Sequence, residues 1–130
     1  MDENKKLSRR EQREQVIKYL YEIDINTVEE EFSSEYEFID KVVNGVILNK
    51  EKIDEIISKN LQNWKINRLT YIDRAIIRFA TYELYYTETP HEIVINEALN
   101  LTRKFSDEGD NKMVGFTNKV LDNIKMYLKK

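Results

Sequence analysis

The sequence predicts an all-helical protein, a compact bundle of six or seven helices. Three observations predict it. The chain has only three glycines and one proline in 130 residues, too few for the frequent tight turns of a β fold. Its apolar residues recur at spacings of three and four in six separate stretches, the period of a buried helix face. Helix-start chemistry stands in front of two of those stretches.

The first helix spans about Arg9 to Asp24. Ser8 with Glu11 three residues later has the form of a capping box. Val16, Ile17, Leu20 and Ile23 supply its apolar stripe. The stretch "INTVEEEFSSEYE" is polar and acidic and reads as a connection holding one short helical turn. A second helix, near Glu35 to Leu48, buries Phe38, Ile39, Val42, Val43 and Val46. A third, about Lys50 to Leu61, uses Ile53, Ile56, Ile57 and Leu61. The fourth runs roughly from Leu69 to Tyr86. Its residues Leu69, Ile72, Ile76, Phe79 and Ala80 share one face, while Ile77 and Leu84 lie well off it. A helix apolar over most of its circumference belongs at the centre of its fold. In "TPHE", Thr89 is the expected N-cap, Pro90 the first helical residue and Glu92 the reciprocal cap. The fifth helix then buries Val94, Ala98, Leu101 and Phe105. "SDEGDN" reads as a loop in which Gly109 can take a positive φ. The last helix, about Lys112 to Leu128, buries Phe116, Val120, Leu121, Ile124, Tyr127 and Leu128. Residues 1–130 read as a single domain, with residues 1–7 a flexible basic tail.

Composition narrows function mainly by exclusion. With no cysteine there is neither a disulfide nor a thiolate site. The single histidine, His91, has no second histidine with which to build a zinc site. The scattered glycines form no phosphate-cradling loop. No serine stands near a base that would activate it. Catalysis, a cofactor and a metal are therefore not expected. No stretch is apolar for long enough to span a membrane, and the polar N-terminus lacks a secretion signal, so a cytoplasmic protein is expected.

The charge distribution is more informative. The formal net charge is -3, yet the ends of the chain are basic. From Lys5 to Lys18, six cations face two acids, a net +4. From Glu22 to Asp40 there are eight acids and no Lys or Arg, a net -8. From Lys112 to Lys130, five lysines accompany one aspartate, again +4. Arg9, Arg10 and Arg13 crowd the start of the first helix, where a cation opposes the macrodipole at a cost of about 0.3–1 kcal/mol each when exposed. Stability alone favours an acid there, so something else must favour arginine. At about 100° per residue, Arg9 and Arg13 point the way of Val16 and Leu20, and Arg10 lies to one side. For Arg13 an ion pair is expected. Its candidate partner is Glu83, set on the apolar face of the fourth helix, where a carboxylate needs a partner. Arg9 and Arg10, with Lys5 and Lys6 upstream, suit phosphate, because guanidinium forks match its oxygens; on charge alone, a solvated basic surface accounts for the cluster at least as well.

Several stretches together resemble one family. "RREQREQVIKYLY" is similar to the Arg-rich opening of the NusB family of bacterial transcription antitermination factors. "VVNGVILNK", "NWKINRLTYIDRAIIRFATYEL", "TPHEIVINEALNLTRKF" and "FTNKVLD" resemble further segments of that family, in order along nearly the whole chain. The resemblance implies two small helical subdomains and no catalysis. It also implies binding of boxA-type RNA from ribosomal RNA operons, jointly with NusE, a small-subunit ribosomal protein, within the RNA polymerase antitermination complex. Arg9, Arg10 and Arg13 align with the family's arginine motif. Tyr21, Asp73 and Phe116 match positions on the surface shared between RNA and NusE. The RNA-contact set expected here is Lys5, Lys6, Arg9, Arg10, Arg13, Phe116 and Lys119, with Tyr21 and Asp73 facing a protein partner. The chain also departs from the family. Glu11-Gln12 replaces the small residue between the arginines, "SDEGDNKMVG" is longer than usual, Gly115 stands where lysine is common, and Lys119 takes the place of a glycine.

A protein–protein adaptor using the acidic section is the alternative. A domain of RNA methyltransferases and a helix-turn-helix DNA regulator are weaker readings. Self-association as a homodimer is left open by the sequence.

Overall fold

The computed structural model describes residues 6–27 and 30–130. Among them are six α-helices and no strand: α1 (Arg9–Asn26), α2 (Glu37–Leu48), α3 (Lys50–Lys59), α4 (Tyr71–Tyr86), α5 (His91–Phe105) and α6 (Lys112–Tyr127). A 3-10 turn, Ile66–Arg68, precedes α4. Lys5 of the expected contact set lies outside the described residues. No helix among the described residues is long and apolar enough to cross a membrane.

The predicted capping box of α1 is present. Ser8 Oγ accepts from the Glu11 N–H at 3.1 Å, and Glu11 Oε1 accepts from the Ser8 N–H at 2.9 Å. The helix continues two residues past Asp24 and closes on Thr27 in the left-handed region. In the acidic connection, no helical turn forms among the described residues 30–36. Side chains hold it instead. Asn44 brackets Phe32, accepting from its N–H at 2.8 Å and donating to its carbonyl at 2.7 Å. Asp40 Oδ1 accepts from the N–H and the hydroxyl of Ser34. These bonds delay α2 to Glu37. Asn49 is both the C-cap of α2 and the N-cap of α3.

Helix α4 is the centre of the fold. Thr70 caps it, accepting from the Asp73 N–H at 3.1 Å, and every residue from Ala75 to Leu84 is buried. It packs against each of the other five helices. Ile77 and Leu84 face away from the main stripe and are still buried, which the all-round apolar pattern requires. Gly45 of α2 allows a close approach, since a Cβ there would lie 2.3 Å from the Tyr82 ring.

The start of α5 differs from expectation. Pro90 is the N-cap, and its carbonyl accepts from the N–H groups of Ile93 and Val94. Thr89 does not cap, because its N–H donates to Thr87 Oγ1 at 3.3 Å and its hydroxyl lies 3.2 Å from the same oxygen. With that N–H taken, Glu92 has no reciprocal cap to make and pairs with His91 instead, at 3.2 Å. Gly109 has the positive φ expected of it, 93°. On α6, Val120, Leu121 and Ile124 are buried, but Tyr127 is 46% exposed. It rests beside Lys59 of α3 rather than in the core.

Candidate nucleic-acid interface

The three arginines of α1 meet three different fates. Arg13 is buried against Glu83. Its Nη1 donates to Glu83 Oε1, and its Nη2 donates to Oε2 at 3.1 Å. The guanidinium also lies between two rings, 5.4 Å from the Phe38 centroid and 5.3 Å from that of Phe79. This is the predicted ion pair, and it removes Arg13 from the set of residues open to a strand. Both terminal nitrogens engage Glu83 and only 5% of the residue is exposed. Next to it, burial first and the Glu83 carboxylate second push the Tyr82 phenol above its ordinary pKa.

Arg10 is exposed, and its Nη2 lies 3.3 Å from Glu97 Oε1 on α5. Arg9 is exposed and has no ion-pair partner among the described residues; its guanidinium carbon sits 3.9 Å from the centroid of the Phe38 ring. Lys6, just upstream, is exposed as well. Further along the same seam, Lys104 of α5 donates to both Glu14 oxygens, at 2.8 and 2.9 Å. The seam between α1 and α5 therefore carries cations alternating with their own carboxylates.

A second cluster forms where α3 ends and α6 begins. Phe116, half-buried, meets Trp64 edge to face at 6.4 Å. Trp64 is 53% exposed. With Lys119 and the amides of Asn60, Gln62 and Asn63 they line a shallow cleft of about 170 Å³. Rings, amides and one lysine around an open cleft are what a splayed nucleobase uses, for stacking and for hydrogen bonds along its edges. Trp64 was absent from the expected contact set. Its signal is the chain's single tryptophan set among polar residues, Gln62, Asn63, Lys65 and Asn67, in a connection rather than on a helix stripe.

The two clusters are not adjacent. Helices α1 and α4 run antiparallel, because Arg13 meets Glu83 at one end while Asp24 meets Arg74 and Arg78 at the other. Arg9 and Arg10 thus lie near the C-terminal end of α4. Trp64 and Phe116 lie toward its N-terminal end, where Asp73 joins Ser106.

The residues expected to face a protein partner divide. Tyr21 is half-buried, with its ring 6.2 Å from that of Tyr71. Tyr71 is exposed and lies under the Arg74 guanidinium at 4.5 Å, so this pair forms part of a surface. Asp73 does not. It is 4% exposed, with Oδ2 accepting from the Thr70 hydroxyl at 2.8 Å and Oδ1 from the Ser106 hydroxyl at 2.5 Å. Its carboxylate fastens the start of α4 to the end of α5, so the expectation of a direct partner contact is corrected to an internal one. Among the described residues, no group of His, Cys, Asp or Glu could hold a metal ion.

The family model described as "NusB family" matches residues 10–126. The chain belongs to the NusB family. The transcription antitermination protein NusB of Bacillus licheniformis is 38% identical, over 94% of this chain and 99% of that one. Its counterpart in Bacillus cereus (strain B4264) is 40% identical, over 92% of this chain and 98% of its own. Among solved structures, NusB of T. maritima superposes with a TM-score of 0.79 at 30% identity, covering 97% of this chain and 94% of that one. A chain from the "Crystal Structure of a Plectonemic RNA Supercoil" also gives a TM-score of 0.79, at 28% identity and 94% coverage of this chain. The family-model match takes in Arg10, Arg13 and the cleft between α3 and α6, and begins one residue after Arg9.

Proposed function

We propose that this chain is a transcription antitermination factor that binds single-stranded boxA-type RNA of ribosomal RNA operons. In this reading it binds RNA jointly with NusE and helps RNA polymerase pass terminators as part of the antitermination complex. The observation that carries the reading is Arg9, an exposed guanidinium with no carboxylate partner among the described residues, at the head of α1 in a chain whose relatives are named for transcription antitermination. No catalytic step is assigned.

The work is division of labour along one strand. Arg9, Arg10 and Lys6 meet phosphates, which release counterions as they are neutralised. Trp64 and Phe116 offer ring surface to unstacked bases, and Lys119 adds charge beside them. Arg13 acts indirectly, since its pair with Glu83 fixes the turn of α1 that carries Arg9 and Arg10. Glu97 and Glu14 already neutralise Arg10 and Lys104, so affinity for RNA alone is modest. NusE, docking beside Tyr21 and Tyr71, contributes further contacts through effective concentration.

A titration of boxA RNA against a scrambled sequence, with and without NusE, tests the proposal. Preference for boxA that strengthens with NusE is the expected result. In the variant Arg9→Ala/Arg10→Ala, affinity falls and the salt slope flattens by about 1.4 log units per decade of salt, two single-strand contacts' worth, while the fold is kept. Tight NusE binding with no boxA preference in either condition would instead establish the adaptor reading.

A further inference from the structure

Among the described residues, Arg9 meets an aromatic ring rather than an opposite charge. Its guanidinium carbon lies 3.9 Å from the centroid of Phe38, well inside the reach of a cation–π contact. Contact at that distance covers the flat face of the guanidinium. What remains for water, in an exposed residue, is the edge that carries the N–H fork. The ring itself is not free to drift. Phe38 stands at the second position of α2, and its ring meets that of buried Phe79 edge to face at 6.3 Å. Behind it, Arg13 approaches the same two rings and ends on Glu83. Cation and ring thus alternate from surface to core: Arg9, Phe38, Arg13, Phe79.

We propose that Phe38 is a positioning residue for RNA binding: it stacks Arg9 so that the guanidinium edge stands ready for a phosphate before the strand arrives. This rests on the reading of Arg9 as a phosphate contact. The physical reason is pre-organisation. An unsupported arginine side chain samples many rotamers and must give them up on binding, whereas a stacked one has given them up beforehand. The carboxylate of a salt bridge would also order the side chain, but it would occupy the fork. A ring orders it and leaves the fork open.

The test uses the full chain with NusE and boxA RNA, titrated over a range of salt. Phe38→Leu is expected to weaken binding about two- to fivefold, the factor that matches exposed cation–π energies, without changing the salt slope, because the number of phosphate contacts is unchanged. Phe38→Tyr, which keeps a ring, is expected to restore the affinity. In an Arg9→Ala background, Phe38→Leu is expected to cost nothing further, which a general structural role would not produce. The side-chain NMR resonances of Arg9 report the stack without RNA: ring-shifted in the parent and in Phe38→Tyr, unshifted in Phe38→Leu. Should Phe38→Leu melt below the titration temperature, Phe38→Met takes its place. Equal binding by the parent and the Leu variant overturns the proposal, as does an equal loss in the Arg9→Ala background. If Arg9→Ala binds RNA like the parent, the phosphate role of Arg9 fails and takes this inference with it. A ring-shifted Arg9 in that case separates the two failures, because the stack is then real and the contact is not.

Discussion

Glu83→Gln should be among the most damaging single substitutions in the molecule. Glu83 is 2% exposed and Arg13 5%, and the two make a two-point contact inside the bundle. Removing one charge strands the other. Breaking such a buried pair costs about 3–5 kcal/mol, against a total stability of roughly 5–15 kcal/mol for a domain. Guanidinium groups keep their charge across the working pH range, so Arg13 cannot escape by losing a proton. For a chain of this size the melting temperature should fall by about 10–20 °C. The informative control is Arg13→Met/Glu83→Leu, which removes both charges and fills the space. It is expected to recover most of the loss, since buried pairs replaced by apolar groups of similar volume are often neutral or better. Urea and thermal unfolding of the three variants measure this. A Glu83→Gln melting point within 3 °C of the parent, or a double variant weaker than the single, would refute the reasoning.

Three further outcomes follow from local geometry. Gly45→Ala places a Cβ 2.3 Å from the Tyr82 ring and should cost about 1–3 kcal/mol, as overpacking does; thermal melts in the parent and in a Tyr82→Leu background check this, with a smaller cost expected in the latter. Trp64→Ala removes an exposed stacking surface and should weaken boxA binding by about 1–3 kcal/mol with little change in melting temperature; an RNA titration that shows no loss removes Trp64 from the interface. Glu97→Gln frees Arg10 from its carboxylate, at a surface pair worth about 0.2–1 kcal/mol, and should tighten RNA binding up to about fivefold; unchanged or weaker binding would mean that the strand does not pass Arg10.

Much of this architecture is legible in the sequence because helix periodicity is local. The stripes of α1, α2 and α3 are buried at most of the expected residues, with Ile23, Phe38 and Leu61 only partly covered, and the all-round apolar pattern of α4 places it at the centre. The Arg13–Glu83 pair was legible for a different reason, since a charge on an apolar face requires a partner. Features set by distant partners were not. Asp73 has the look of an ordinary first-turn acid, and nothing near it in sequence announces Ser106, 33 residues away. Tyr127 keeps the stripe's spacing, but it stands beside Lys59 on the flank of α6, while Leu128 next to it still packs against the core. Thr89 has the right chemistry for a cap, but Thr87 engages its hydroxyl and its N–H, and the helix starts one residue later, from Pro90. Of the expected contact set, Arg9, Arg10, Lys6 and Lys119 are exposed, Phe116 is half-buried beside Trp64, and Arg13 lies inside. The aromatic platform beneath Arg9 comes from α2, across an acidic connection whose length hides it from any local rule.

Asn49 serves two helices at once. With no spare residue between α2 and α3, a single pair of backbone angles, φ -108° and ψ 18°, sets the corner. One residue inserted there would swing α3 about its axis by roughly a quarter turn or more and carry Ile53, Ile56 and Ile57 out of contact with α4. Length can vary at 30–36 or 106–111, where loops absorb it. The α2–α3 corner is a hinge without slack, and it locks the whole register of the molecule's third helix.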